Sequence, residues 1–265
     1  MKHYALIGKP LGHSWSQRLF EEAVPADVAD YRLFELPSLD GLRQWVTNND
    51  ISGFNVTAPY KEAILPYLDT LTSEAKEIGA VNCVKVVEGK LIGYNTDAPA
   101  FQQTLGKHLS PLTSHLSPSA LILGTGGAAR AVAHALSQMG IDYTFVSRHP
   151  ERLKVKGERL KVISYAELTD FTSHLSPFTL LINATPVGTW PNVDDSPLPP
   201  NFQFSILNFK LVYDLIYNPS PTLLMRQAAE RGAKVVDGLA MLRLQAELSR
   251  DIFFADSTEY QPIAK

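Results

Sequence analysis

Ser119-Ala120-Leu121-Ile122-Leu123-Gly124-Thr125-Gly126-Gly127-Ala128-Ala129 decides the architecture of this chain. An apolar pentapeptide runs into Gly124-x-Gly126-x-x-Ala129, and Arg130-Ala131-Val132-Ala133-His134-Ala135-Leu136 continues as a helix. In that context the glycines let the backbone approach a pyrophosphate, and the first free N–H groups of the helix receive it. A tight structural turn would use the same glycines without needing the strand and helix on either side. Gly124, Gly126, Gly127, Ala128 and Ala129 are therefore the candidate dinucleotide contacts.

Outward from this turn, short apolar runs recur at 143–146, 161–163, 180–182, 212–215 and 234–236, each before a turn or helix. Their spacing predicts a doubly wound parallel sheet. Upstream, runs at 4–8, 31–36 and 53–56 alternate with helical segments at 16–23, 39–47 and 59–65, the pattern of parallel βα units. Residues 81–87 and 91–95, separated by Glu88-Gly89-Lys90, read instead as a hairpin, so the first sheet should be mixed. A helix over 96–108 leads into the Pro-, Ser- and Thr-rich stretch 109–118, where a second domain begins. Ser-His-Leu-Ser-Pro occurs at 114–118 and 173–177; two copies do not make a repeat protein and read as strand lead-ins.

With 265 residues, 45% hydrophobic and 19% charged, the chain can bury a substantial core. A net charge of −3 offers no broad basic field for nucleic acid. The single cysteine, Cys83, cannot form an internal disulfide, which fits a reducing compartment. The first residues hold only a four-residue apolar run, and no stretch is long enough to span a bilayer. A soluble, cytoplasmic protein acting on a small molecule, without metal or membrane, is expected.

Cofactor choice rests on Ser147-Arg148-His149-Pro150-Glu151-Arg152. An NAD site carries an acidic residue at the end of the second strand to grip the ribose diol. Here Arg148 stands instead, and no carboxylate occupies the strand end to repel a 2′-phosphate. A charge-assisted bond to that phosphate contributes roughly 1.5–3 kcal/mol, so NADP(H) is the expected cofactor.

Two further segments carry chemistry. Asn55-Val56-Thr57-Ala58-Pro59-Tyr60-Lys61 places a lysine, a hydroxyl and an amide on one strand-to-helix turn, and Asn95-Thr96-Asp97 adds a carboxylate. Ser14 and Ser16, in Gly8-Lys9-Pro10-Leu11-Gly12-His13-Ser14-Trp15-Ser16, stand where a helix begins. They serve either as plain caps or as hydroxyls that hold a carboxylate at the positive helix end. A lysine is an ammonium at neutral pH and can donate a proton. A neighbouring carboxylate stabilises that ammonium, so Asp97 is read as orienting it.

These motifs, in this order from Gly8 to Gln245, resemble the shikimate dehydrogenases. The resemblance implies a substrate domain of residues 1–100, completed by the helix in 239–265, around a Rossmann-type NADP-binding domain of 101–238. It implies a site in the cleft between the domains, with Lys61 as acid and base and Asp97 as its partner. Ser14 and Ser16 would bind the substrate carboxylate, Thr57, Asn82 and Asp97 the ring hydroxyls, and Gln245 would complete the pocket. Ser147, Arg148 and Arg152 fall at the family's 2′-phosphate positions, with Ser147 replacing an asparagine. Tyr217 matches a pocket position and Gly238 one near the nicotinamide, although each also suits core or turn. Asn183-Ala184-Thr185-Pro186-Val187-Gly188 resembles the loop beside the cofactor.

The chain departs from the family pattern at Gln17, Glu21, Ala100, Pro186 and Ala240, which touches packing and loop geometry rather than the reaction. The expected activity is NADPH-dependent, reversible reduction of 3-dehydroshikimate to shikimate by a monomer or homodimer. Rival readings are a quinate or dual quinate/shikimate dehydrogenase, and a non-catalytic NADP(H)-sensing module. A methylenetetrahydrofolate dehydrogenase type would share the lysine but would not need the paired serines.

Overall fold

The computed structural model describes residues 1–12, 14–109, 118–152, 161–170, 178–200, 202 and 209–255. His13 and, apart from Pro118, both Ser-His-Leu-Ser-Pro copies lie outside the described residues, as does the Arg152 side chain. The chain divides into two compact units, one of residues 1–100 and 243–265 and one of residues 101–242.

The first unit begins with β1 (Lys2–Gly8), α1 (Ser16–Ala23), β2 (Ala29–Glu35), α2 (Leu42–Asn48), β3 (Ile51–Val56) and α3 (Tyr60–Ala63). It continues through β4 (Thr70–Leu71), α4 (Ser73–Ile78), β5 (Cys83–Val87) and β6 (Lys90–Tyr94) to the start of α5 (Asp97–Leu109). The six strands lie in the order β2-β1-β3-β5-β6-β4. β2, β1 and β3 run parallel, while β5 is antiparallel to both β3 and β6, so the sheet is mixed as its sequence predicted.

The hairpin turn is shorter than the reading of 88–90, because Lys90 pairs with Val87 and leaves only Glu88 and Gly89 outside the ladder. Both have positive φ, 50° and 74°, the backbone of a tight primed turn. α4 is the helix that periodicity missed. Its signals were local: the Thr72 hydroxyl accepts from Ala75 N at 3.2 Å, and Gly79 closes it with φ 69°.

Alternation along β1 serves both faces of this sheet. Ala5 and Ile7 join the cluster of Leu42, Phe54, Val56 and Ile64, whereas Tyr4 and Leu6 join Phe20, Tyr31, Ile252 and Phe253. Tyr4 stacks on Phe253 at 4.6 Å, which seats the C-terminal helix on the second face. Gly53 makes this approach possible, because a Cβ there would come within 2.8 Å of the Phe253 ring.

The second unit holds β7 (Ser119–Leu123), α6 (Gly127–Gln138), β8 (Asp142–Ser147), β9 (Lys161–Ser164), α7 (Tyr165–Asp170), β10 (Leu180–Asn183) and β11 (Leu211–Asp214). α8 (Leu223–Ala229) and β12 (Lys234–Val236) follow, and α9 (Leu239–Phe254) carries the chain back into the first unit. All six strands are parallel in the order β12-β11-β10-β7-β8-β9, a doubly wound sheet with its switch point between β7 and β10. β10 and β11 are buried along their whole length, as a sheet covered on both faces requires.

Candidate active site

Lys61 owes its place to the end of β3. Thr57 N donates to Ile7 O at 2.9 Å, and Gly8 leaves space that a Cβ would deny to the Thr57 methyl and the Ala58 carbonyl. The short α3 that follows is held on two sides: Val81 N donates to the Lys61 carbonyl at 2.8 Å, and the Tyr60 hydroxyl donates to Leu36 O at 2.6 Å. Asp97 opens α5, where Asn95 Oδ1 accepts from the backbone N of Asp97 and Ala98 at 3.0 and 3.1 Å. A carboxylate in the first turn of a helix also lies favourably against the helix dipole.

Lys61 Nζ and Asp97 Oδ2 meet at 2.5 Å, with the lysine side chain 18% exposed and the aspartate 6%. Asn82, 2% exposed, donates through Nδ2 to the other carboxylate oxygen at 2.9 Å and to Thr96 Oγ1 at 2.8 Å. Its Oδ1 accepts from Thr96 N at 2.7 Å. Gln245 Oε1, from α9, lies 3.4 Å from the same Nδ2. Four of the expected residues thus form one cluster: Lys61, Asp97, Asn82 and Gln245.

Ser14 and Ser16 form a pair at the start of α1, with hydroxyls 3.2 Å apart and Ser16 N donating to Ser14 Oγ. Trp15 occupies the cap position and its side chain caps nothing, so neither serine is the conventional helix cap. A cavity of about 180 Å³ between α1 and α9 is lined by Ser16, Asn55, Tyr31 and Gln245 among others. Gln17 and Glu21, two departures from the family pattern, pair with each other across one turn of α1 at 2.8 Å.

In the second unit, Gly124 has φ +97°, and a Cβ there would come within 3.0 Å of the Thr185 methyl and 3.3 Å of the Ala184 carbonyl. Only glycine fits that turn without strain. Its N–H donates to Val146 O at 3.0 Å, which ties the glycine turn to the end of β8 beside Ser147 and Arg148. Gly126 caps α6 in an extended conformation, and the ladder's first bond runs from Arg130 N to Gly126 O. The preceding N–H groups of Gly127, Ala128 and Ala129 point outward at a positive helix end, where a pyrophosphate fits. Ser147 is buried and accepts from His149 N at 3.0 Å, and Arg148 is exposed. Among the described residues no carboxylate pairs with Arg148.

Gly238 has a packing reason to be glycine, since a Cβ would collide with the Leu215 carbonyl. Tyr217 is half-buried in the segment after β11. Sequence reasoning overlooked Asp214, which is fully buried at the end of β11. It accepts from Asn183 Nδ2 at 2.9 Å, Ile216 N at 3.0 Å and Thr222 Oγ1 at 2.7 Å. Burial, the largest influence, pushes its carboxyl up to about 6 against these donors, and Asp237 adds to the rise. Also overlooked were Thr96 and Ser249, buried hydroxyls beside the lysine–aspartate pair.

A doubly wound nucleotide unit, joined in one chain to an α/β unit that buries a lysine–carboxylate pair, is the build of a dinucleotide-dependent oxidoreductase. The family model for the shikimate dehydrogenase substrate binding domain matches residues 6–84. A shikimate dehydrogenase (NADP(+)) of Carboxydothermus hydrogenoformans is 36% identical over 92% of this chain and 88% of its own length. Among solved structures, shikimate dehydrogenase 1 from Peptoclostridium difficile superposes with a TM-score of 0.83 at 36% identity, covering 96% of this chain and 92% of that one. Shikimate 5-dehydrogenase from Thermus thermophilus, in complex with NADP(H) and shikimate, gives 0.79 at 35% identity over 96% and 94%. The chain belongs to the shikimate dehydrogenase family.

Proposed function

We propose that this protein reduces 3-dehydroshikimate to shikimate, reversibly and with NADPH, using Lys61 as the proton donor and acceptor and Asp97 to orient it. NADPH, when bound, supplies the hydride. The chain supplies the proton, because an alkoxide forming at the substrate carbonyl needs an acid within hydrogen-bond reach. The Lys61 ammonium has three hydrogens, and its bond to Asp97 uses one. Asp97 is itself fixed through its second oxygen by Asn82, so the direction of the ammonium is set before substrate arrives.

In this reading, Ser14 and Ser16 hold the substrate carboxylate, Thr57, Asn82 and Asp97 take the ring hydroxyls, Gln245 completes the pocket, and Tyr217 is a further pocket position. Residues 1–100 and 239–265 form the substrate domain. Residues 101–238 bind NADP, with Gly124, Gly126, Gly127, Ala128 and Ala129 at the pyrophosphate, Ser147, Arg148 and Arg152 at the 2′-phosphate and Gly238 near the nicotinamide. The protein works in the cytoplasm, as a monomer or homodimer.

The observation that carries this proposal is the buried Lys61–Asp97 pair in a chain of this family. Absorbance at the nicotinamide band, with 3-dehydroshikimate and NADPH or NADH in parallel, tests it. Oxidation of NADPH that depends on 3-dehydroshikimate and outpaces NADH is the expected result. NADPH binding without oxidation would leave a cofactor-sensing module, and faster turnover of quinate with NAD would make the protein a quinate dehydrogenase.

A further inference from the structure

We infer that Ser249 of α9 is a positioning residue for the Lys61–Asp97 pair, acting through Thr96 and Asn82; the inference rests on the function proposed above. Ser249 is 1% exposed and lies in Leu248-Ser249-Arg250-Asp251-Ile252-Phe253, where the neighbouring inward residues Ile252 and Phe253 are apolar. A hydroxyl in such a place costs stability unless it is hydrogen-bonded. It is bonded to the polar cluster and not to its own helix: Asn55 Nδ2 donates to Ser249 Oγ at 2.8 Å, and Thr96 Oγ1 lies 3.1 Å away. The Ser249 hydroxyl's own hydrogen has the Cys83 sulfur, a weak acceptor, for partner.

The count of hydrogens shows why this matters to Asp97. The Asn82 amide has two hydrogens but three acceptors in range: Thr96 Oγ1 at 2.8 Å, Asp97 Oδ1 at 2.9 Å and Gln245 Oε1 at 3.4 Å. Thr96 Oγ1 can accept from Asn82 only if its own hydrogen points elsewhere. Ser249 Oγ, 3.1 Å away, is placed to take it. With Thr96 so oriented, Asn82 is gripped through both ends of its amide and its second hydrogen falls on Asp97. Below Ser249 the cluster is anchored in the core, since Asn55 Oδ1 accepts from the buried Tyr31 hydroxyl at 2.9 Å and Asn55 Nδ2 donates to Asn82 O at 3.1 Å. Ser249 stands one helical turn after Gln245, so α9 meets the acid–base cluster at two successive positions on one face.

Removing the Ser249 hydroxyl leaves a Thr96 hydrogen and an Asn55 hydrogen competing for the remaining acceptors, and loosens the amide that fixes Asp97. The test is Ser249→Ala beside Ser249→Thr, which keeps the hydroxyl. For Ser249→Ala, kcat with 3-dehydroshikimate should fall about 5- to 10-fold, the equivalent of one net buried hydrogen bond, while KM for NADPH stays within about twofold. Ser249→Thr should recover most of the loss. A purely packing role would lower the melting temperature and leave kcat in place.

The Asn82 side-chain amide gives a reading independent of turnover. In nuclear magnetic resonance its hydrogens should exchange at least about tenfold faster in Ser249→Ala than in the unaltered protein. Wild-type kcat in Ser249→Ala, equal impairment of the two variants, or unaltered Asn82 exchange would each overturn the inference. Failure of the proposed function itself shows separately, as an unaltered protein that oxidises no NADPH.

Discussion

Among the described residues each unit buries one aspartate beside an expected site, and the two are satisfied in opposite ways. Asp97 faces an ammonium, Lys61, and one amide, Asn82. Asp214 accepts from an amide, a backbone N–H and a hydroxyl, all neutral, with Asp237 close enough to add repulsion. The first arrangement keeps a charge pair at the edge of solvent. The second is a tie. Asp214 binds the loop that starts at Asn183, the turn at Ile216 and the Thr222 cap of α8, and Asn183 passes the order on by accepting from Thr185 N and Oγ1. Burial therefore raises Asp214 to about 6, a cost that three donors reduce without removing.

Lys61→Ala should break this contrast most severely, because it turns Asp97 into a second buried carboxylate without a cation. Turnover of 3-dehydroshikimate should drop about 10²- to 10⁴-fold, the usual range for loss of a general acid, with NADPH affinity retained. A variant with wild-type kcat would remove Lys61 from the chemistry. On the nucleotide side, Arg148→Ala should raise KM for NADPH about 10- to 150-fold and leave KM for NADH within about twofold, since only the former carries a 2′-phosphate. Equal effects on both cofactors would show that Arg148 does not face that phosphate.

The smallest effect is expected from Asp214→Asn, which keeps shape and removes charge. The folded protein holds the Asp214 proton up to about pH 6, whereas the unfolded chain releases it near 3.8. Stability from this group is therefore fully present below about pH 4 and is lost as pH rises through 6, by about 3 kcal/mol at most. Thermal unfolding of the protein and the variant at pH 4 and pH 7 reads the difference: the gap should move in favour of Asp214→Asn as pH rises. A gap that is the same at both pH values would mean that Asp214 is charged in the fold at pH 4 as well.

The two units were not equally legible. In the nucleotide unit every predicted strand is present, within two residues at either end, because a buried parallel strand is a continuous apolar run bounded by turn residues. In the first unit β4 and α4 escaped notice: one is two residues long, and the other announces itself only by Thr72 and Gly79. The acid–base cluster was legible in part. Lys61 and Asp97 stand in short motifs and Asn82 entered through the family resemblance, whereas Ser249 and Thr96 look like ordinary helix and loop hydroxyls until their partners are known.

The sequence alone determined the parallel nucleotide sheet, the glycine turn, the lysine and carboxylate, and the basic strand end, since each is a local pattern whose physics acts over a few residues. Only the tertiary structure decided that α9 would bring Ser249 and Gln245 to Asn55, Thr96 and Asn82, and that Asp214 would be buried without a cation. Those outcomes depend on which hydrogens meet which acceptors across some 30 to 190 positions of chain. Such pairings leave no periodicity in the sequence, because they are chosen by the packing of whole elements.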